Sequence, residues 1–109
     1  MSGGRDSTYL LYYLVKVLDL NVLAFFSDNG FIPEQTRLSI KNSVDILGVQ
    51  LVRKKNEYLE QCIRHHLQSF LHRPSAPMIG SISTGCRLGM DISIPALARR
   101  SRVPVIMYG

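Results

Sequence analysis

The seven residues from Asn21 to Ser27, Asn-Val-Leu-Ala-Phe-Phe-Ser, constrain the fold of this chain more than any other stretch. The run is apolar without interruption between polar ends, as expected of a strand buried in a parallel sheet. Such a sheet needs helical crossovers packed on it, and the flanking sequence supplies them. Asp6 to Leu18 reads as a first helix, with Leu10, Leu14, Val17 and Leu18 at spacings of three and four and Leu11 widening the stripe. Pro33 begins a second helix, with Glu34 in its first turn. Its inner face is Ile40, Val44 and Leu47, and Gly48 is placed as its C-cap. Val49 to Arg53 is a second, short strand. Asn56 can cap a third helix through about His72, striped by Leu59, Ile63, Leu67 and Phe70 and stopped by Pro74. Ser75 to Thr84 reads as a loop, and Met90 to Arg100 as a helix that Pro95 kinks or restarts. Arg102 to Gly109 reads as a closing apolar strand. The order loop–α–β–α–β–α–loop–α–β predicts one α/β domain over residues 1–109, with a parallel sheet and right-handed crossovers.

Composition narrows the class. Hydrophobic residues make up 46% and charged residues 19% of the 109, which describes a globular chain. No apolar run reaches the ~20 residues that span a bilayer, and the start has no basic segment followed by an apolar stretch and a cleavage site. The two cysteines, Cys62 and Cys86, suit a reducing, cytoplasmic setting better than a disulfide scaffold. A net charge of +5 suits an anionic ligand such as ATP, a nucleotide-sugar or RNA without choosing among them.

Ahead of the first helix stands Ser2-Gly3-Gly4-Arg5-Asp6-Ser7-Thr8. Paired glycines open backbone conformations closed to other residues, and a glycine turn feeding a helix N-terminus favours anions. The stretch is neither a Walker A loop nor a dinucleotide G-x-G-x-x-G fingerprint. Asp28-Asn29-Gly30 ends the Asn21–Ser27 run, where parallel strands present ligand-binding residues; an ordinary Asn-Gly turn is the plainer reading. Cys62, His65 and His66 share a helix face, but no second Cys/His pair at zinc spacing follows. Arg99, Arg100 and Arg102 read as charges complementing a helix C-terminus. In Ser83-Thr84-Gly85-Cys86-Arg87-Leu88-Gly89, the cysteine beside Arg87 is a candidate reactive thiol and Arg87 a candidate phosphate clamp.

Ser-Gly-Gly-x-Asp-Ser, here Ser2, Gly3, Gly4, Asp6 and Ser7, resembles the PP-loop of the N-type ATP pyrophosphatases. With Asp28-Asn29-Gly30-Phe31, the helix near Glu34 and the late Gly-Cys segment before Ile94-Pro95, the chain is most similar to the N-acetyl sugar amidotransferases of surface-polysaccharide (lipopolysaccharide) biosynthesis. Members often carry Cys-x-x-Cys in the late loop; here Ser83 stands at the first cysteine and Cys86 at the second. The resemblance implies a three-layer, parallel-sheet fold of the adenine-nucleotide alpha-hydrolase type with strand order 3-2-1-4-5. Mapped onto it, this chain has strands 2, 3 and 4 without the first strand, so the expectation is a fragment incomplete at both ends.

The resemblance also implies roles. ATP would lie on Ser2, Gly3, Gly4, Asp6, Ser7 and Thr8, with Asp28, Asn29, Gly30 and Arg87 completing the nucleotide site. Asp6 would hold Mg²⁺ or order the loop, Arg5 would add charge to the departing pyrophosphate, and Cys86 would join the chemistry. The expected activity is adenylation of a sugar N-acetyl or related carbonyl, after which ammonia from a glutaminase partner displaces AMP. Two other readings stand beside it: a tRNA-modifying sulfurtransferase using Cys86, with RNA the less fitting acceptor, and a non-catalytic nucleotide-binding module.

Overall fold

A computed structural model of the chain describes residues 1–109 apart from Asn56 and the side chains of residues 81–83, 85, 86 and 88. The expected cap at Asn56 and the thiol of Cys86 therefore lie outside the described residues. The elements are α1 (Arg5–Tyr12) continued by a π-helical turn (Tyr13–Val17), β1 (Leu23–Asp28), α2 (Glu34–Leu47), β2 (Gln50–Lys55), α3 (Glu57–His72) and α4 (Ala76–Arg100). The architecture is mixed α/β around a two-stranded parallel sheet. Leu23 stands opposite Gln50 and Asp28 opposite Lys55, with α2 as the crossover between them.

The core gathers where the periodic residues meet. Leu11 of α1, Ala24 of β1 and Val44 of α2 form a buried cluster, with Met1, Val15, Val22, Leu47, Val49 and Leu51 packed against it. Ile40 is 2% exposed and anchors α2. Gly48 closes that helix in the left-handed conformation (φ 67°), which frees its N–H and that of Val49 to bond the carbonyls of Asp45 and Val44. Leu59 and Ile63 bury the inner face of α3, and Gly89 of α4 packs on Leu59.

Four expectations need correction. First, β1 is fully buried on one face only: Ala24, Phe26 and Asp28 are buried, whereas Leu23, Phe25 and Ser27 are half-buried. Second, the apolar stripe of the first helix stops at Leu14. The Leu18 N–H reaches back to the Tyr13 carbonyl, a π-type bond that widens the turn, and Val17 and Leu18 end exposed. Third, residues 75–84 are not a loop. Ser75 occupies the N-cap and Pro77 the first turn, where a missing N–H costs nothing, and α4 runs from there through Pro95 to Arg100. Fourth, residues 103–109 form no strand. A strand exists only with a partner backbone, and this segment pairs with none among the described residues.

Candidate functional site at the start of the first helix

The Ser2–Ser7 loop is a closed hydrogen-bonded turn. Gly3 takes a positive φ of 77°, and a Cβ there would stand 2.9 Å from both Ile40 Cγ1 and Thr36 Cγ2 of α2. Glycine is the residue that this close approach permits. Gly4 is the N-cap of α1. The buried Ser7 hydroxyl donates to the Gly4 carbonyl at 3.1 Å and accepts the Ser2 N–H at 3.2 Å. Its oxygen also lies 3.1 Å from the Ser2 hydroxyl. The Ser39 hydroxyl of α2 reaches the Gly3 carbonyl at 3.5 Å. Ser7 thereby holds the loop, the Gly4 N–H reaches the Ser2 hydroxyl at 3.4 Å, and the start of α1 carries the positive end of the helix dipole.

At the carboxyl end of β1 lies a second cluster. Asp28 is fully buried, and its Oδ1 accepts the Gly30 N–H at 3.0 Å. Its Oδ2 accepts from Arg53 Nε at 3.1 Å and from the Arg53 terminal nitrogen, and Arg37 stands 3.6 Å away. Burial alone pushes this carboxyl up, but the Gly30 bond, the Arg53 bond and the two guanidinium charges together hold it below its ordinary value. One carboxylate between two guanidiniums leaves this end of the sheet with a local excess of positive charge. The turn continues with Asn29 Oδ1 accepting the Phe31 N–H at 3.0 Å. Gly30 (φ 87°) is pressed against Glu60, whose carboxylate binds Arg64 at 3.0 Å and Lys55 at 3.4 Å. The Arg64 bond comes first among the causes that hold Glu60 below its ordinary pKa. Arg64 in turn covers the Phe31 ring at 5.2 Å.

Ser2 and Ser7 of the loop and Asn29 of the β1 turn line one cavity of about 620 Å³, whose wall does not include Asp28, Arg37 or Arg53. Gly3 and Gly4 are adjacent to it through the loop, and Asp28 and Gly30 through the β1 turn. Arg5 and Asp6 are placed differently: both side chains point to solvent and pair with each other at 3.1 Å. Thr8 is half-buried in α1, and Arg87 is exposed on α4 and lines no part of the cavity. Among the described residues no group of three His, Cys, Asp or Glu side chains converges on a metal-sized space, around Asp6 or around Cys62, His65 and His66.

Arg37, Arg53, Thr36 and Ser39 belong to this site and were not singled out by motif. Arg53 stands opposite Phe26 in the parallel register, and Phe26 shares a face with Asp28, so the register carries its guanidinium to that carboxylate. Comparison of the chain with protein-family models, with curated proteins and with solved structures returns no match. No helix among the described residues is long and apolar enough to cross a membrane.

Proposed function

We propose that the chain binds ATP through the Ser2–Ser7 loop and serves the adenylation step of a PP-loop amidotransferase, on a three-layer fold of that type. The observation that supports this reading is the loop itself: Gly3 in a left-handed conformation under α2 and Gly4 at the N-cap of α1, with Ser2 and Ser7 lining the same cavity as Asn29 of the turn after β1. The β and γ phosphates would accept from the N–H groups between Gly4 and Ser7. Arg5, exposed beside them, would meet charge as pyrophosphate departs. Arg37 and Arg53 set a positive field at the same end of the sheet. An acceptor carbonyl oxygen attacks the α phosphorus and expels pyrophosphate. Ammonia then attacks the carbonyl carbon, AMP leaves with that oxygen, and a proton is lost. The acceptor class carried by the resemblance is a sugar N-acetyl group, with a glutaminase as the ammonia source.

Asp6, exposed at the start of α1 in a surface pair with Arg5, is the carboxylate that would hold a Mg²⁺ carried in on the phosphates, where the cation would neutralise charge on the departing pyrophosphate. Cys86 lies outside the described residues, and sulfur transfer gains no support from the geometry.

Gly4→Asp is the sharpest test. Gly4 has an ordinary φ of −80°, and a Cβ there meets only the Ser2 hydroxyl at 3.5 Å, so the variant keeps its fold. It places a carboxylate where the phosphates would lie. With a sugar N-acetyl acceptor present, ATP–pyrophosphate exchange by the active enzyme should be abolished in the variant at unchanged circular dichroism. Exchange retained in Gly4→Asp sinks the assignment of the loop.

A further inference from the structure

At the carboxyl end of the sheet, ion pairing leaves basic groups in excess. The paired carboxylates there are Asp28 and Glu60, and Arg37, Arg53, Lys55 and Arg64 stand against them. Within the Asp28 cluster the two arginines are held unequally. Oδ1 accepts the Gly30 N–H, and Oδ2 accepts twice from Arg53. A carboxylate oxygen offers about two lone-pair sites, so Arg53 fills Oδ2. Arg37 keeps only a contact of 3.6 Å to that same oxygen, beyond hydrogen-bond length. Its Nε is buried and has no hydrogen-bond partner among the described residues.

A buried donor without an acceptor is costly, and more so on a charged group. The rest of the Arg37 head is within reach of solutes. Its side chain is 39% exposed and that of Arg53 is 50% exposed. Held by one long contact, the Arg37 guanidinium can turn to present Nε to an acceptor docked on its open side. Charge and shape limit what that acceptor is. Two guanidiniums against one carboxylate leave one positive charge over, which selects an anion. Both heads reach the same oxygen of Asp28, so they stand side by side. A planar carboxylate matches one guanidinium fork, as Asp28 does here. A tetrahedral phosphate has oxygens for two forks that arrive from different directions. Neither arginine lines the cavity beside the Ser2–Ser7 loop, so this site does not rest on ATP being bound there.

We propose that Arg37 and Arg53 form a binding site for a terminal phosphate group, with Asp28 as the strut that holds Arg53 in place. The test observes the arginine Nε–H signals of the full chain by NMR during a titration with inorganic phosphate at constant ionic strength. The Arg37 and Arg53 signals should move and saturate, while chloride and acetate move them far less. Arg37→Gln should raise the phosphate Kd about tenfold or more. Arg37→Lys keeps the charge beside Asp28 but loses the fork, and it should raise the Kd as well. That second variant preserves the reading if the first one fails to fold. A sugar phosphate titrated in parallel identifies the source of the group. Its binding at the same signals supports a phosphomonoester ligand, and its failure where inorganic phosphate binds supports the free ion. Shifts of equal size with chloride overturn the site, leaving only charge screening. Saturation by acetate at the same concentration overturns phosphate in favour of a carboxylate. Phosphate binding that survives Arg37→Gln and is lost in Gly4→Asp overturns the site in favour of the loop.

Discussion

Gly3 holds the loop and α2 together by having no side chain. Gly3→Ala forces a Cβ to within 2.9 Å of Thr36 and Ile40 at a φ that alanine rarely adopts. Strain and overpacking together should cost about 1–3 kcal/mol, read as a lower urea midpoint. Asp28 makes the opposite case, a side chain defined by its partners. Its carboxyl lies below the ordinary 3.8 in the folded chain, so as pH falls the unfolded chain takes the proton first. The stability it contributes is full above about pH 4 and drains away as pH falls through the lower, folded value. Asp28→Asn should destabilise the chain at pH 7 by about 1–3 kcal/mol, a figure reduced because both arginines are partly exposed. The variant should also flatten the acid limb of a stability–pH curve, measured by urea titration at pH 3 and pH 7. Asp28 was legible in the sequence as a residue at a strand end. Arg53 was not, because a pair formed across 25 positions is visible only once the strand register is known, and Arg37 was not, because its reach to Asp28 depends on how α2 sits against the end of β1.

Within α2, burial separates chemically identical residues. Ile40 is 2% exposed and Ile46 is 80% exposed. Ile40→Ala should cost about 2–4 kcal/mol through lost contacts and a cavity, whereas Ile46→Ala should stay within about 0.5 kcal/mol. Thermal denaturation of the two variants side by side checks this. That helix, β1 and α3 were readable in advance because their apolar positions repeat at the period of the element they form. α4 was obscured because glycines, hydroxyls and two prolines signal loop locally. Ser75 at the N-cap and Pro77 in the first turn suit a helix start as well as a loop, so the local signal there was two-sided. The closing strand failed for another reason. Arg102–Gly109 has a strand's composition, but composition cannot state whether a partner edge lies within reach.

At the scale of the whole molecule the chain is more open than its length requires. Its radius of gyration is 15.7 Å, against about 13 Å for a closely packed chain of this size. Its accessible surface is 7977 Å², against about 6,100 Å² expected from its mass. The excess includes exposed Val105, Met107 and Tyr108 along the segment facing the cavity. The chain should therefore bind the dye anilinonaphthalene sulfonate in its native state, read as a rise in the dye's fluorescence without denaturant.

The parallel sheet also carries a kinetic consequence. Every rung of the ladder, from Leu23 with Gln50 to Asp28 with Lys55, joins residues 27 positions apart. The first rung to form closes the whole loop, at an entropic cost of about 3 kcal/mol beyond a constant. The remaining rungs close almost nothing further. Pairing of the two strands is thus an all-or-none event whose rate depends on how much of α2 has already shortened the path between them.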